Sequence, residues 1–387
     1  MEPNVFLNEV HIQNFLSLHN VRLPLKRLTV LVGPNASGKS NVLKALALLA
    51  EMMIAENPPP AEYIQTRLWA GGADKISFQL IAKADNKIAN YQLTLQPQPK
   101  YRIFSEELVV NTVKVISIQK GKGQVRDEND KNPISFNSTK LALKSAGDYG
   151  DKPITSALTN FIRAWEFYDF KPDKMRGKEI EVFLTAVVAD MPEPERLDNE
   201  GASLRYFLSS WHKKDPERFQ VVNQALKTCI RLGIESHENG KEELFLLEGY
   251  KTPIPLDRAS DGTLRLLAYH VLLNQPEPPS LIAIEEPERN LHPGGINEIG
   301  RILEQLADRT QVIITTHSSQ LLDSLNADNL SDSLGVLLLR NNPGIGTEVI
   351  SLDEVRADRK ALASWIEEFG IGSAIFDSQL LQDITEG

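Results

Sequence analysis

The sequence predicts an α/β fold in which a mixed sheet is accompanied by an antiparallel β region and an inserted helical lobe. Four apolar runs, each typical of a strand covered on both faces, lie far apart in the chain, at 28–32, 281–284, 311–316 and 335–339. Alternating, strand-like runs follow the first of them, and a helical spacing of apolar residues comes after those. A sheet core built from both ends of the chain, with insertions between them, accounts for this order.

The composition restricts the class of protein. With 42 Lys and Arg against 52 Asp and Glu, the formal net charge of −10 argues against a uniformly basic coat for nucleic acid, although a local basic groove is compatible with it. The one cysteine, Cys229, excludes a disulfide framework and a four-thiolate zinc site. No apolar run reaches the roughly 18 residues of a membrane span, and the first residues lack the pattern of a signal peptide. We therefore expect a cytoplasmic protein with no membrane partner.

The N-terminal part of the chain reads as strand, turn, strand, loop and helix. Residues 5–12 partly alternate between apolar and polar, and residues 41–50 are apolar nearly all round, as in a buried helix. The next strand-like runs have no helical pattern between them and predict an antiparallel sheet; they lie at 76–82, 91–95 and 109–118. The polar stretch 121–133 is expected to be a solvent loop.

Helical spacing prevails over residues 156–232, with candidate helices around Phe161, Phe183, Leu204 and Val221. None sustains heptads over about three repeats, so no long coiled coil is expected. Further helices are predicted at 296–306 and around Trp365. We expect three parts: one half of the sheet core with the antiparallel region at 1–120, a largely helical lobe at 121–255, and the other half of the core at 256–387.

A glycine-rich loop follows the first buried strand and precedes the buried helix. It fits the pattern G-x-x-x-x-G-K-[ST], in the context of strand and helix that this motif requires. Its glycines let backbone N–H groups and the helix N-terminus face phosphate oxygens, so we expect ATP to bind here with Mg²⁺. Lys39 would reach the β- and γ-phosphates, and the Ser40 hydroxyl would ligate Mg²⁺. The predicted nucleotide-binding residues are Gly33, Pro34, Asn35, Ala36, Ser37, Gly38, Lys39, Ser40 and Asn41.

Two acids end the apolar run 281–284, and a histidine ends the run 311–316. Glu285 is predicted to hold the Mg²⁺ shell, and Glu286 to polarise the attacking water as general base. A lone histidine is more often structural, but one helix and one strand fill the interval between Glu286 and His317. That spacing predicts both side chains at the same edge of a parallel sheet, with His317 facing the γ-phosphate.

Four further stretches accompany these motifs. Residues 259–264 read A-S-D-G-T-L and precede an apolar helix, and residues 285–293 read E-E-P-E-R-N-L-H-P. Residues 198–204 (D-N-E-G-A-S-L) and 165–169 (W-E-F-Y-D) belong to the same set. Together with the phosphate loop they resemble the ABC-type ATPases, and among these the soluble RecF, SMC and OLD group and small AAA-type ATP-binding proteins. Glu285 departs from the Asp usual in that superfamily, and no glutamine loop is assigned.

The resemblance implies a P-loop NTPase fold of the ABC head type that hydrolyses ATP to ADP and phosphate. It also implies a head-to-tail homodimer in which the signature residues of one subunit close over the ATP of the other. Those residues would be Ser260, Asp261, Gly262 and Thr263. The same Ser-Asp-Gly sequence also suits a helix N-cap, and both roles can hold together. In the dimer, residues 289–292 would form the loop that crosses between the two sites.

The output of such a switch is constrained by what the chain lacks. No coiled coil or paired cysteines support an SMC-like or zinc-hook protein, and strands and a helix occupy the segment after His317, where a Toprim nuclease would lie. Asp353, Glu354 and Asp358 are loosely acidic, but a solvated loop and helix face is favoured over a nuclease site. We therefore expect any effector to be a separate protein.

Two hypotheses remain, beside a housekeeping ATPase with no nucleic-acid role. In the first, the protein is the ATPase sensor of a two-component bacterial system, such as anti-phage defence, with its effector in trans. In the second, it is a RecF-like repair clamp that binds duplex DNA. Candidate DNA contacts, each more often a plain solvated face, are Arg22, Lys26, Arg27, Lys171, Lys174, Arg176 and Lys178. The negative net charge favours the first hypothesis.

Overall fold

The structure, a computed structural model, describes residues 3–98, 100–177, 196–238, 242–247 and 254–377. Its strands are β1 Val5–Phe15, β2 Leu18–Pro24, β3 Leu28–Val32, β4 Ile76–Ala84, β5 Lys87–Leu95, β6 Ile103–Val110, β7 Val113–Gln119, β8 Lys122–Val125, β9 Ile134–Asn137, β10 Trp165–Tyr168, β11 Gly233–Glu238, β12 Glu242–Leu247, β13 Ile254–Pro255, β14 Leu281–Glu285, β15 Gln311–Thr316, β16 Leu334–Asn342 and β17 Gly346–Ser351. Its helices are α1 Lys39–Ile54, α2 Ala61–Gln65, α3 Leu143–Ala146, α4 Pro153–Arg163, α5 Pro172–Met175, α6 Leu204–Lys214, α7 Pro216–Ile230, α8 Asp261–Asn274, α9 Pro293–Arg309, α10 Ser319–Asp323, α11 Leu352–Asp358, α12 Lys360–Phe369 and α13 Ile371–Phe376.

The core is a six-stranded sheet, counted over the described residues, in the order β10-β14-β15-β3-β16-β17. Its strands are parallel except β17, which runs antiparallel to β16. All residues of β3 and β15 are buried, which confirms the prediction that the continuously apolar runs are strands covered on both faces. The parallel register places the carboxyl ends of β14, β15 and β3 at one edge.

An eight-stranded antiparallel sheet, again counted over the described residues, has the order β2-β1-β4-β5-β6-β7-β8-β9. The predicted strand at 109–118 is wrong as a single element, because the chain turns at Asn111, whose φ is 52°, and pairs β6 with β7. The predicted solvent loop at 121–133 is partly wrong, since β8 pairs with β7 and β9. Strand β8 is formed by backbone hydrogen bonds to its neighbours, and its sequence, K-G-Q-V, lacks the alternation of apolar and polar residues that predicts a strand.

The antiparallel sheet packs on one face of the core sheet, and helices cover the opposite face. A three-stranded sheet, β11-β12-β13, lies among the described residues that follow α7 in the chain. The helices expected around Phe161, Leu204, Val221 and Trp365 are confirmed as α4, α6, α7 and α12. The helical run predicted over 156–232 is interrupted by β10, which joins the core sheet beside β14. The helix expected around Phe183 lies outside the described residues.

Two hydrophobic cores lie on opposite faces of the core sheet. Alternate side chains of β15 point to different cores: Ile314 packs with the helical side, whereas Ile313 packs with α1 and the antiparallel sheet. The core sheet is therefore packed against α1 on one face and against α8 and α9 on the other. This packing fixes the edge of the sheet at which the parallel strands end. Among the described helices, none is long and apolar enough to cross a membrane.

Candidate nucleotide site

The loop 33–40 connects the buried strand β3 to the N-terminus of α1 in a tightly packed turn. Gly38 has a φ of 107°, and a Cβ on Gly33 would lie 2.3 Å from the carbonyl oxygen of Leu339. A side chain at Gly33 would therefore displace backbone, and the left-handed conformation of Gly38 favours glycine there. Gly33, Ser37, Gly38 and Lys39 are buried, and the exposed crest of the loop consists of Pro34, Asn35 and Ala36.

Lys39 is a buried cation that is bonded only to its own loop among the described contacts. Its side chain is directed back over the turn, where Nζ donates to the carbonyl oxygens of Gly33 at 2.6 Å and Pro34 at 2.9 Å. Burial lowers the pKa of Lys39, while the nearby carboxylates of Glu286, Glu285 and Glu288 act in the opposite direction. An ammonium group held by loop carbonyls next to backbone N–H groups is placed to exchange those acceptors for phosphate oxygens.

The loop and the acidic strand end meet directly. The Ser40 hydroxyl, in the first turn of α1, donates to Oε1 of Glu285, the last residue of β14. A hydroxyl and a carboxylate in contact are the hard oxygen ligands that Mg²⁺ prefers, and this ion ordinarily keeps further water and phosphate oxygens. The two residues predicted to hold Mg²⁺ are therefore together in the structure and fit that ion.

Glu286 sits where the chain leaves β14 in a left-handed conformation with a φ of 45°. Its backbone N–H donates to the carbonyl oxygen of Thr315 at 3.1 Å, which ties the turn to β15. Oε1 lies 3.1 Å from Nδ1 of His317, and Oε2 accepts from Nη2 of Arg289 at 3.0 Å. Although burial pushes the pKa of Glu286 upward, the hydrogen bond from Arg289 and the charges of His317 and Arg289 lower it overall. Glu286 and His317 thus meet at one sheet edge, as their spacing predicts.

Glu288 completes the acidic run from a buried position that the motif alone does not reveal. It is 7% exposed and accepts a hydrogen bond of 2.6 Å from the hydroxyl of Thr316, the residue before His317. Burial raises the pKa of this carboxyl, whereas the bond from Thr316 lowers it to a smaller extent. Glu288 therefore fixes the end of β15 from which His317 projects.

Residues 28–323 match the family model described as "AAA domain, putative AbiEii toxin, Type IV TA system". The chain belongs to this family. The match spans β3, the phosphate loop and the acidic edge, so the site lies within the part of the chain that defines the family. A comparison of the sequence with curated proteins finds no significant match.

Solved structures of SMC heads share the fold of this family member. An SMC head bound to the C-winged helix domain of ScpA is 13% identical, with a TM-score of 0.52 and coverage of 91% of this chain and 99% of that one. An SMC head with an extended coiled coil, bound to the C-terminal domain of ScpA derived from Pyrococcus furiosus, is 12% identical, with a TM-score of 0.50 and coverage of 93% and 100%. The likeness confirms the predicted fold class, a P-loop ATPase head with mixed and antiparallel sheets.

A chain of hydroxyl contacts behind the phosphate loop has no counterpart in the sequence prediction. Asn41 Nδ2 donates to Oγ of Ser17 at 2.8 Å, and this hydroxyl lies 2.7 Å from Oγ1 of Thr347. Thr347 in turn donates to the carbonyl oxygen of Ser37 at 3.1 Å. The turn between β1 and β2 and the start of β17 thereby support the loop. These partners are 330 residues apart in the chain, and no local signal links them.

The predicted signature loop forms a helix cap. Ser260 is the N-cap of α8, and its Oγ accepts from the N–H of Thr263 at 3.1 Å. Asp261 pairs with Arg176, whose Nη2 also donates to the carbonyl oxygen of Ala259 at 3.1 Å. A Cβ on Gly262 would lie 2.9 Å from the carbonyl oxygen of Asn290, so the loop also touches the turn after the acidic run. The capping role is confirmed, and the role across a dimer stays a prediction.

Several of the cations considered for DNA are engaged inside the chain. Lys171 pairs with Glu200, Arg176 pairs with Asp261 and Asp173, and Lys26 donates to the carbonyl oxygen of Ser331. Arg22 is exposed on β2, and Lys178 lies outside the described residues. Of the loosely acidic group, Asp353 and Glu354 lie in the first turn of the short helix α11. Glu354 is exposed, whereas Asp353 is half-buried and accepts a hydrogen bond of 2.6 Å from the hydroxyl of Ser331.

Proposed function

We propose that the protein is an ATP-hydrolysing switch that forms a head-to-tail dimer on binding ATP and controls a separate effector protein in bacterial anti-phage defence. The observation that carries the proposal is the meeting of Lys39, Ser40, Glu285, Glu286 and His317 at one edge of the core sheet. Each residue type there has one task in ATP hydrolysis, and the family and fold support the same chemistry.

The residues of this chain divide the work of hydrolysis. Backbone N–H groups of the loop and the Lys39 ammonium bind the phosphates, and Ser40 with Glu285 supplies oxygen ligands for Mg²⁺. When bound, Mg²⁺ neutralises charge on the phosphate oxygens. Glu286 takes the proton of the attacking water as general base, and Nδ1 of His317, 3.1 Å from Oε1, orients that carboxylate.

The dimer supplies what a single subunit lacks on the γ-phosphate side. The N-terminus of α8, a helix of 14 residues capped by Ser260, presents backbone N–H groups and the positive end of the helix dipole. Facing the ATP of a partner subunit, this end would stabilise the phosphates and make closure depend on ATP. Because each subunit contributes α8 to the ATP site of the other, the dimer has an open and a closed state, and a switch requires two such states.

The effector and the defence setting rest on the family description and on the fold neighbours. The family is described by a putative AbiEii toxin of a type IV toxin–antitoxin system. The two SMC heads are described as bound to a domain of another protein, ScpA. Both support an ATPase that acts on a partner protein. The RecF-like alternative has less support, because Lys171 and Arg176, two of its candidate DNA contacts, have intramolecular partners.

Two variants test the switch. Glu286→Gln keeps the shape of the side chain but removes the base, so it is expected to bind ATP, to lose turnover by about 100-fold or more, and to accumulate a dimer with ATP. Ser260→Arg is expected to bind ATP but neither to dimerise nor to turn it over. Glu277→Gln, an exposed acid on the same half of the chain, is the matched control. Light scattering with and without ATP, together with phosphate release, gives the result; a Glu286→Gln protein that stays monomeric with ATP contradicts the proposal.

The effector is tested by purification of the Glu286→Gln protein from its native host with ATP. A second protein that requires ATP for co-purification, and that is lost in the double variant with Ser260→Arg, supports the proposed control of an effector. Nucleic acid that co-purifies in the same ATP-dependent way, without a protein, supports the RecF-like clamp instead.

A further inference from the structure

Both carboxylate oxygens of the proposed general base are already engaged in this single subunit. Oε1 of Glu286 faces Nδ1 of His317 at 3.1 Å, and Oε2 accepts from Nη2 of Arg289 at 3.0 Å and from its Nε at 3.3 Å. A general base must present an oxygen within hydrogen-bond reach of the water whose proton it takes. Arg289 occupies one of the two oxygens that could do so.

Arg289 is itself held between two strand ends. Its Nη1 lies 3.4 Å from Oδ1 of Asp169, which follows β10, the neighbour of β14 in the core sheet. Its backbone N–H donates to the carbonyl oxygen of Glu286 at 3.1 Å and closes the turn that the left-handed conformation of Glu286 begins. Side chains of Arg289 and Glu286 are 40% and 21% exposed, so the ion pair is accessible to rearrangement without disruption of a core.

The next residue of this turn contacts the signature loop. The backbone of Gly262 packs so closely on the carbonyl oxygen of Asn290 that a Cβ on the glycine would lie 2.9 Å away. Asn290 has a φ of 63° and directly follows Arg289 in the chain. The turn that carries Arg289 is therefore in contact with the N-terminus of α8.

We propose that Arg289 is a positioning residue that acts through Glu286 as a latch. In the isolated subunit it holds the carboxylate away from the attacking water. When the signature loop engages the ATP of the partner subunit, Asn290 moves with Gly262 and Arg289 releases Glu286. The inference rests on the proposed function, and it assigns to the turn 289–290 a restraint on Glu286 that adds to the absence of the partner's signature loop in an unpartnered subunit.

The test measures ATP turnover per subunit over protein concentrations that extend below those at which the dimer forms. Arg289→Gln is expected to raise turnover at the lowest concentrations by about threefold to tenfold with an unchanged KM for ATP, because a half-exposed pair holds the base only modestly. Arg289→Lys keeps the charge and is expected to stay near the wild type. Asp169→Asn, which loosens the other side of Arg289, is expected to give a smaller rise.

Arg301→Gln is the matched control, since Arg301 pairs with Glu298 three residues away on α9, outside the site. It should leave turnover unchanged. Turnover of Arg289→Gln that is unchanged or reduced at low concentration overturns the latch, because Arg289 would then not restrain the base. Turnover of the wild type that does not depend on concentration contradicts the dimer model instead. In that case, and also if the wild type is inactive, a rise in Arg289→Gln still supports a restraint of Glu286 by Arg289, and its absence overturns that restraint.

Discussion

Two regions of this protein bury charged side chains, and they satisfy them in different ways. In the antiparallel sheet, Glu106 is 1% exposed; its Oε1 accepts from Tyr91 Oη at 3.1 Å and from the N–H of Leu143 at 2.8 Å. Its Oε2 accepts from the N–H of Ala142 at 2.6 Å. At the edge of the core sheet, Lys39 is 5% exposed and donates only, among the described contacts, to carbonyl oxygens of its own loop.

The difference between Glu106 and Lys39 indicates that the first is a structural residue and the second a candidate binding residue. The partners of Glu106 sit on β5 and at the start of α3, elements that the fold holds in place whatever is bound. The loop that serves Lys39 contains Ala36 and Gly38 at positive φ, and the buried Oγ of Ser37 has no hydrogen-bond partner among the described residues. In the proposed function, a bound phosphate group would supply hydrogen-bond partners to these loop groups.

The largest expected effect is at the loop. Lys39→Ala removes the buried cation and is expected to weaken ATP binding by on the order of 100-fold, because no other side chain on the loop carries positive charge toward the phosphates. Isothermal titration calorimetry gives the affinity. Lys44→Ala, on the exposed side of α1, is the control and should bind ATP as the wild type does. Tight binding by Lys39→Ala would refute the assignment of the loop.

The next effect concerns Glu106, where burial raises the pKa from 4.5 to about 7 although the N–H groups of Leu143 and Ala142 and Tyr91 act to lower it. The folded protein therefore holds this proton more tightly than the unfolded chain. The stabilisation is complete below pH 4.5 and is lost as pH rises through about 7. It amounts to at most about 3 kcal/mol in the free energy of unfolding.

Glu106→Gln is expected to remove this pH-dependent part, so that urea denaturation at about pH 5 and about pH 8 differs less in the variant than in the wild type. The variant is also expected to be less stable than the wild type, since the amide NH2 group cannot accept the N–H of Ala142 that a carboxyl oxygen accepts in the wild type. Glu107→Gln, on the next and partly exposed position of β6, is the control. An equal pH dependence in Glu106→Gln and wild type would show that the carboxyl does not titrate as proposed.

The smallest expected effect concerns the support behind the loop. Thr347→Val keeps the shape but removes the hydroxyl that contacts Ser17 and the carbonyl oxygen of Ser37, so ATP affinity is expected to fall by about fivefold. Thr94→Val removes a similar hydroxyl contact, with Ser77 on the antiparallel sheet, and should leave ATP affinity unchanged. Fluorescence titration with an ATP analogue measures both. Equal affinities of the two variants would show that Thr347 does not shape the loop.

Much of the fold was accessible from local patterns. The central strands β3 and β15 are buried at every position because both faces of the sheet are covered there. The loop 33–40 needs Gly33 because the turn packs directly against the backbone of Leu339. The predictions of secondary structure fail where an element forms through backbone pairing without a pattern of apolar side chains. These elements are the turn at Asn111, the polar strand β8, and β10, a strand of four residues between helices.

The candidate site divides along the same line. Lys39, Ser40, Glu285, Glu286 and His317 were predictable because each lies in a motif or directly after an apolar strand. Glu288 lies in the same run, but its role depends on burial against Thr316. Ser17 and Thr347 come from distant segments, and residues of such ordinary types give no signal until the chain is folded. Asp169 lies in the motif stretch 165–169, but its contact with Arg289 was not predictable from that stretch.

The sequence alone therefore predicted the site: a glycine-rich loop, an acidic strand end and a histidine on neighbouring parallel strands. Spacing could do this because a motif is short and strand direction puts carboxyl ends at one edge. The folded chain added which groups contact those residues, from Thr347 behind the loop to Arg289 on Glu286. Such contacts arise from packing between segments far apart in the chain, and packing is a property of the whole fold rather than of any local run of residues.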